Sequence, residues 1–407
     1  MERMNLPLLP LLIFLATSLL TQAAPFLGTG IKIGEVTQDS AVVWARLTSV
    51  KDGDPTSQTK AAPGAKGFFS VSFRLADEKA PFGPPIIVKV SAAHDHANQI
   101  TLKNLLPARP YEIKVTAHEP SEKITDTLTG TFQTPPLASE IAPVTGAVVT
   151  CQGIGTVDDE QKGHRAYLEI LKHQPDFFVH AGDVIYYDKD YNGKQPLSKD
   201  ATAARQRWNR MFSYQWNRDF HRHLPSYFMK DDHDTLDNDS WPGRKYGDLT
   251  FAQGLAIFKE QIPHSALPYR TVSWGRDLQM WFLEGRDFRS PNKIPDGPEK
   301  TILGAEQKAW LKKSLRESKA TFKLIMSPTP IVGPDKRGKK DNHANDVFKT
   351  EGDEIRTLLK TIPNLYIICG DRHWQYASRH PETGLIEIGC GPINDAHAKI
   401  GGNSGKK

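Results

Sequence analysis

The chain is expected to fold as an all-β sandwich followed by an α/β layered domain. Three observations predict this: short strand-like runs separated by turn residues up to residue 134, a Pro-containing linker at 133–140, and apolar runs alternating with helical periods beyond it. A chain of 407 residues exceeds a typical single domain and suits two. Its 18 Phe, 11 Tyr and 8 Trp supply enough core to exclude global disorder, and three cysteines are too few for a disulfide scaffold. The net charge of +5 is not gathered into a stripe, so no nucleic-acid partner is required.

Residues 1–23 carry an export pattern. Arg3 gives a positive start, 6–20 is almost wholly apolar, and Thr21-Gln22-Ala23 precedes the expected cleavage point. A membrane anchor is the competing reading. The apolar run is shorter than the roughly 20 residues of a bilayer span, and Pro10 interrupts it. No cysteine lies near the cleavage point and no second long apolar stretch comes later. A secreted or periplasmic protein with no anchor after cleavage, and a monomer, is the expectation.

Within 26–134 the strand runs are 31–33, 40–47, 67–75, 86–90, 99–102, 111–117 and 126–132. Trp44 sits in the apolar Ala41-Val42-Val43-Trp44-Ala45. Leu106-Pro107-Ala108-Arg109-Pro110-Tyr111 has the form of a tyrosine corner, in which the phenol bonds back to the preceding turn. An immunoglobulin- or fibronectin-III-like sandwich fits these signals. The Gly-, Pro- and Lys-rich stretch 51–66 reads as a solvated loop.

In 141–407, residues 144–150 form an apolar strand, 159–174 an amphipathic helix and 176–181 a second strand. Ile355, Leu358, Leu359 and Ile362 then recur with helical spacing ahead of strand 365–369. The informative residues are those at the strand ends: Cys151 after 148–150, Asp183 after 177–182, Asp231-Asp232-His233-Asp234 after 227–230, and Asp371-Arg372-His373 after 366–370. Ligands of open α/β sheets bind at the carboxyl ends of strands. Singly, each residue reads as a turn, a helix cap or a small buried side chain. Together they crowd acids and imidazoles onto one rim, an arrangement that a cation relieves. Carboxylates and an amide favour hard ions such as Ca²⁺ or Mg²⁺, whereas thiolate, phenolate and imidazole suit Fe or Zn. Tyr186, three residues past Asp183, either turns back to the same ion or packs at the loop base.

Gly182-Asp183-Val184-Ile185-Tyr186, Asp231-Asp232-His233-Asp234 with Asn238-Asp239, and Gly370-Asp371-Arg372-His373 resemble the alkaline phosphatase D (PhoD-like) family of metallophosphoesterases. Phe26-Leu27-Gly28-Thr29-Gly30 and the helix beginning Leu303-Gly304-Ala305-Glu306 are similar to further parts of it. The resemblance implies an αββα metallophosphatase sandwich that hydrolyses phosphate esters through metal-activated hydroxide. By the same resemblance, Cys151, Asp183 and Tyr186 would hold Fe³⁺. Asp183 would bridge to Ca²⁺ at Asp232, Asn238, Asp371 and His373, with Zn²⁺ or Mn²⁺ as alternatives. His233 is a ligand or the acid for the leaving oxygen, and His373 can also serve as a catalytic imidazole. Arg286 and Arg289, with Arg372, are candidates to fork onto phosphate oxygens, against a plain reading as ion pairs.

The stretch 334–345 reads as a solvated basic loop, with Asp341-Asn342-His343 as an alternative contribution to the site. Cys369 and Cys390 fall outside the ligand set and read as buried small residues, a disulfide being the less favoured reading. The resemblance also implies further strands after Ile388-Gly389-Cys390-Gly391-Pro392, so a shortened member or an incomplete reading frame is expected. Alternative functions are a phospholipase- or nuclease-like diesterase on the same centre, and an inactive surface-binding protein.

Overall fold

The computed structural model describes residues 23–401 except 79, 194, 336, 337 and 400. The export signal therefore lies outside the described residues but for its last position. No helix among them is long and apolar enough to cross a membrane.

All seven runs of the first region form strands: β1 (Ile31–Gly34), β2 (Ser40–Arg46), β3 (Phe68–Leu75), β4 (Ile86–Lys89), β5 (Ala97–Lys103), β6 (Pro110–His118) and β7 (Ile124–Gln133). β4-β3-β6-β7 make one sheet and β5-β2-β1 face it, closing a core around Ile33, Val43, Phe69, Val115 and Phe132. The tyrosine corner is present: the Leu106 N–H donates to the Tyr111 hydroxyl at 2.7 Å. Residues 51–66 are less solvated than expected. Ala61, Ala62 and Ala65 are buried, and the Pro55 carbonyl accepts from Arg210 Nε at 2.6 Å, because this loop folds over the second region.

The second region contributes β8 (Gly146–Val149), β9 (Phe177–Ala181), β10 (Ser226–Met229), the small hairpin β11 (Lys245–Tyr246) and β12 (Leu249–Thr250), and then β13 (Arg270–Trp274), β14 (Leu278–Phe282), β15 (Phe322–Ser327), β16 (Leu365–Cys369), β17 (Tyr376–Arg379) and β18 (Ile386–Gly389). Two six-stranded sheets result, β5-β2-β1-β10-β9-β8 and β13-β14-β15-β16-β18-β17. The first is shared between the regions, since β1 pairs in parallel with β10 through Gly34 and Ser226.

Side chains alternate along each strand, so one face of each sheet meets the other sheet and the opposite face meets helices. Phe177, Val179, Tyr227 and Met229 pack inward on Trp274, Met280, Phe282 and Met326. Outward, Phe178 and Phe228 meet helices Ala166–Lys172, Gln215–His221, Ala201–Met211 and Phe251–Gln261. On the far side, Ile325 and Ile367 meet Gly304–Glu317 and Lys349–Leu359. The helix expected over 159–174 is only Ala166–Lys172. The Asp159 carboxylate accepts the N–H groups of Gln161 and Lys162, both at 2.9 Å, and Gly163 turns the chain at φ +96, so a local turn replaces the first helical turns. Cys369 and Cys390 are free thiols.

Candidate metal centre

The carboxyl ends of β8, β9, β10 and β16 converge. A Cβ on Gly370 would lie 2.4 Å from the Ala181 carbonyl and 2.7 Å from Thr150 Oγ1, so only glycine lets the two sheets meet here. Just past their strands, Cys151, Asp183 and Asp371 adopt left-handed backbone with φ of 52, 57 and 60. Such conformations are uncommon for non-glycine residues and are retained where a site over-determines them. Asp234 supplies part of that constraint. Its carboxylate takes the N–H groups of Asp183 at 2.8 Å, Asp231 at 2.9 Å and Ile185 at 3.1 Å.

Asp183 Oδ2 accepts from Cys151 Sγ at 3.3 Å and from the Tyr186 hydroxyl at 3.1 Å, and that hydroxyl lies 3.3 Å from His373 Nε2. Three donor groups form in which the ligating atoms lie within 4.8 Å of one another: Cys151, Asp183 and His373; Asp183, Asp232 and His233; Asp183, Asp231 and Asp371. Asp183 belongs to all three. His373 thus stands on the Cys151 side rather than with the second set. Asn238 is exposed, lines the adjoining cavity of about 400 Å³, and donates its backbone N–H to Asp188 Oδ2 at 3.1 Å. His233 Nδ1 is 2.7 Å from Asp188 Oδ1, which fixes the ring.

The electrostatics mark the cluster as short of positive charge. Burial, reinforced by the Asp232, Asp231 and Asp234 charges and eased in part by His233, pushes Asp183 well above the carboxylate range. Burial likewise lifts Asp231 to about 6 and Asp234 to about 7. For His233 burial disfavours the charged ring, yet Asp232, Asp183 and Asp188 outweigh it and raise the imidazole to about 10. Burial, with Asp183 nearby, also pushes the Cys151 thiol and Tyr186 phenol up. Asp183 Oδ1, Asp231 Oδ2 and Asp239 Oδ1 are buried with no hydrogen-bond partner among the described residues. Buried polar atoms are rarely left so. Orphaned oxygens beside a thiol, a phenol and imidazoles fit a metal ion, whose charge would favour the ionised forms.

The two arginines expected to grip phosphate do not reach the cavity. Arg286 is fully buried, with Nε 2.5 Å from Asp231 Oδ1 and Nη2 3.7 Å from Asp232 Oδ2, so it braces the acids from behind. Arg289 Nη2 donates to the Asp341 carbonyl at 2.6 Å and to Asn292 Oδ1 at 2.9 Å, and its guanidinium lies over Phe348. Both guanidinium groups are thus engaged by neighbours within the protein and do not line the cavity. The cationic lining comes instead from Lys189, Lys339, Arg372 and Lys399. Arg372 Nη1 is 2.7 Å from Asp335 Oδ1, and Lys339 is 2.7 Å from Asp341 Oδ2. Within the stretch 334–345, Pro334, Gly338 and Lys340 are exposed as a solvated loop would have them, whereas Asp341, Asn342 and His343 are buried. Asp188 and Lys189 lie just past the Gly182–Tyr186 motif and could have been found by extending it. Lys399 and His397 carry no sequence signal.

A family model described as PhoD-like phosphatase matches residues 147–405. The chain is 23% identical over 404 residues to alkaline phosphatase D of Bacillus subtilis (strain 168), over 86% of this chain and 64% of that protein. It thus spans somewhat under two thirds of that relative's length. Among solved structures it resembles PhoD with a TM-score of 0.75 at 18% identity, covering 92% of this chain and 78% of the other. Purple acid phosphatase PPD1 from seeds of yellow lupin (Lupinus luteus) is similar at 0.58 and 12%, over 90% and 64%. At these identities the structural likeness speaks for a shared mixed α/β fold. The family match spans more than half of the chain and includes every strand end described above, and on that ground the chain belongs to the PhoD-like phosphatase family.

Proposed function

We propose that this protein is an exported, metal-dependent phosphoesterase with an αββα catalytic sandwich. The observation that carries the reading is Asp183: it is shared by three donor groups and has an orphaned buried oxygen at the floor of a cation-lined cavity. In this reading Cys151, Asp183 and Tyr186 hold Fe³⁺ with His373 beside them, and Asp232, Asn238 and Asp371 serve Ca²⁺. Bound metal supplies Lewis acidity that polarises a phosphoryl group and lowers the pKa of an attacking water. Arg372 and Lys339, each held by a carboxylate, draw the phosphate oxygens in and orient them. His233 has its Nδ1 engaged by Asp188, leaving Nε2 as the nitrogen able to pass a proton to the leaving oxygen. The N-terminal pattern of Arg3, 6–20 and Thr21-Gln22-Ala23 supports action outside the cytoplasm, in a secreted or periplasmic form.

The test is hydrolysis of nitrophenyl phosphate and bis(nitrophenyl) phosphate with and without EDTA, beside an Asp183→Asn variant. Metal-dependent turnover that the variant lacks is expected. The ratio of the two substrates separates monoesterase from diesterase. A folded protein that turns over neither after reconstitution with iron and calcium would instead be a binding protein.

A further inference from the structure

The imidazole of His373 and the phenol of Tyr186 belong to separate stretches of chain, yet their polar atoms meet at 3.3 Å beside Asp183. Neither stretch is helical where they meet. His373 comes after the left-handed Asp371 in a short turn and is half-buried. A ring that packs on both would hold them where they meet.

His397 occupies that position. It lies 24 residues beyond His373 in sequence, on the one-turn helix Asp395–His397, and lines the same cavity. Its ring meets that of His373 edge to face, with centroids 4.5 Å apart at 85°. The same ring lies 5.2 Å from Tyr186 at 37°. Tyr186 also meets the ring of His233, at 4.4 Å, so the phenol packs on two imidazoles. Ring contacts of this kind fix the orientation of the partners.

His397 is itself fixed by the backbone around it. Asn394 caps the turn, its Oδ1 accepting the His397 N–H at 3.2 Å, while Asn394 Nδ2 donates to the Thr156 carbonyl. His397 Nδ1 lies 3.4 Å from Thr156 Oγ1. The Lys399 N–H donates to the His373 carbonyl at 2.6 Å, tying the turn to the loop it braces. A Cβ on Gly153 would lie 2.9 Å from His397 Nδ1, so glycine there leaves room for the ring beside the Cys151 loop. The segment 394–399 is thus stitched to the turn after Cys151 and to the loop of His373.

We propose that His397 is a positioning residue whose ring packs His373 and Tyr186 into the geometry in which they meet Asp183. This rests on the metal-centre reading above. The role belongs to the flat face and edge of the ring, so a phenyl ring fills it and a methyl group does not.

The test uses His397→Ala and His397→Phe in the full protein, with iron and calcium affinity by titration, ester kinetics and thermal melting. Partners that orient metal ligands typically contribute about 10–100-fold to metal affinity or activity. His397→Ala is expected to lose at least about tenfold in metal affinity and kcat with KM within about twofold, and His397→Phe to recover to within about threefold of wild type. An alanine variant that binds metal and turns over as wild type overturns the proposal. So does a folded phenylalanine variant as impaired as alanine. Should the alanine variant not fold, metal affinity of His397→Phe decides alone: retention supports the proposal and loss overturns it. Wild-type protein that binds metal without hydrolysing an ester would overturn the phosphoesterase reading and leave this role to be decided by metal affinity.

Discussion

Two acids, the part-buried Asp95 and the fully buried Asp183, show what the protein supplies to a charge and what it withholds. Asp95 lies where the sandwich meets the second region. Both its oxygens are taken by Arg46, at 2.9 and 2.8 Å, and Asn209 and Gln261 add donors at 3.0 and 2.9 Å. Burial works against its ionised form, but Arg46 and the added donors outweigh that and hold Asp95 below the ordinary carboxylate value. Asp183 is buried more deeply and shifts the other way, with one oxygen bare. Burial opposes the charge of both, more strongly at Asp183, and what separates them beyond depth is the built-in cation. The junction is complete within the chain, whereas the rim is complete only with positive charge from outside.

Removing the central donor should have the largest effect. Asp183→Asn is expected to cut turnover by more than about 100-fold, beyond the usual cost of disturbing a ligand's neighbours. It should leave the metal-free protein no less stable, because the amide replaces a carboxyl whose ionised form burial already disfavours. Melting curves in EDTA check the second half of this expectation. Asp95→Ala sharpens the contrast from the other side. It strands Arg46 in the interior and should cost about 3 kcal/mol in denaturant unfolding while leaving metal affinity unchanged.

Glu351 provides a third case, a buried acid that the chain itself supplies with partners. Burial opposes its charge, but His343 Nε2 at 2.9 Å, the Thr301 hydroxyl and the Ile302 N–H at 2.5 Å lower it from 4.5 to about 2. A depressed carboxyl stabilises the fold above its unfolded pKa, and the contribution is lost as pH falls from about 4.5 through about 2. Glu351→Gln is therefore expected to cost about 2 kcal/mol near neutral pH and to flatten stability across that acid window. The smallest effect should come from Tyr111→Phe, which removes one hydrogen bond in the sandwich. About 1 kcal/mol of stability and no change in turnover are expected, read by chemical denaturation and the ester assay.

Much of this was legible before the fold was known, and for a physical reason. Cys151, Asp183, Asp231 and Asp371 come directly after apolar strands, so sequence adjacency alone carries them to one rim. The seven sandwich strands were legible because turn residues punctuate them. What was hidden depends on distant pairing. The union of β1 with β10 joins Gly34 to Ser226, and nothing local announces it. Arg286 and Arg289 looked like phosphate ligands because a guanidinium's partners, here Asp231 and the Asp341 carbonyl, are set by distant stretches of chain. His397 was invisible because a bracing ring needs no motif. The local turn at Asp159 defeated a helical period that the apolar pattern alone supported.

The central claim is that the rim, unlike the junction, awaits a cation centred on Asp183. Thermal melting of wild type, Asp183→Asn and Asp95→Asn, each with and without iron and calcium, tests it most directly. Metal should raise the melting temperature of wild type and Asp95→Asn, since a ligand that binds only the folded state stabilises it, and should leave Asp183→Asn unmoved. An equal rise in Asp183→Asn, or no rise in wild type, would contradict the account.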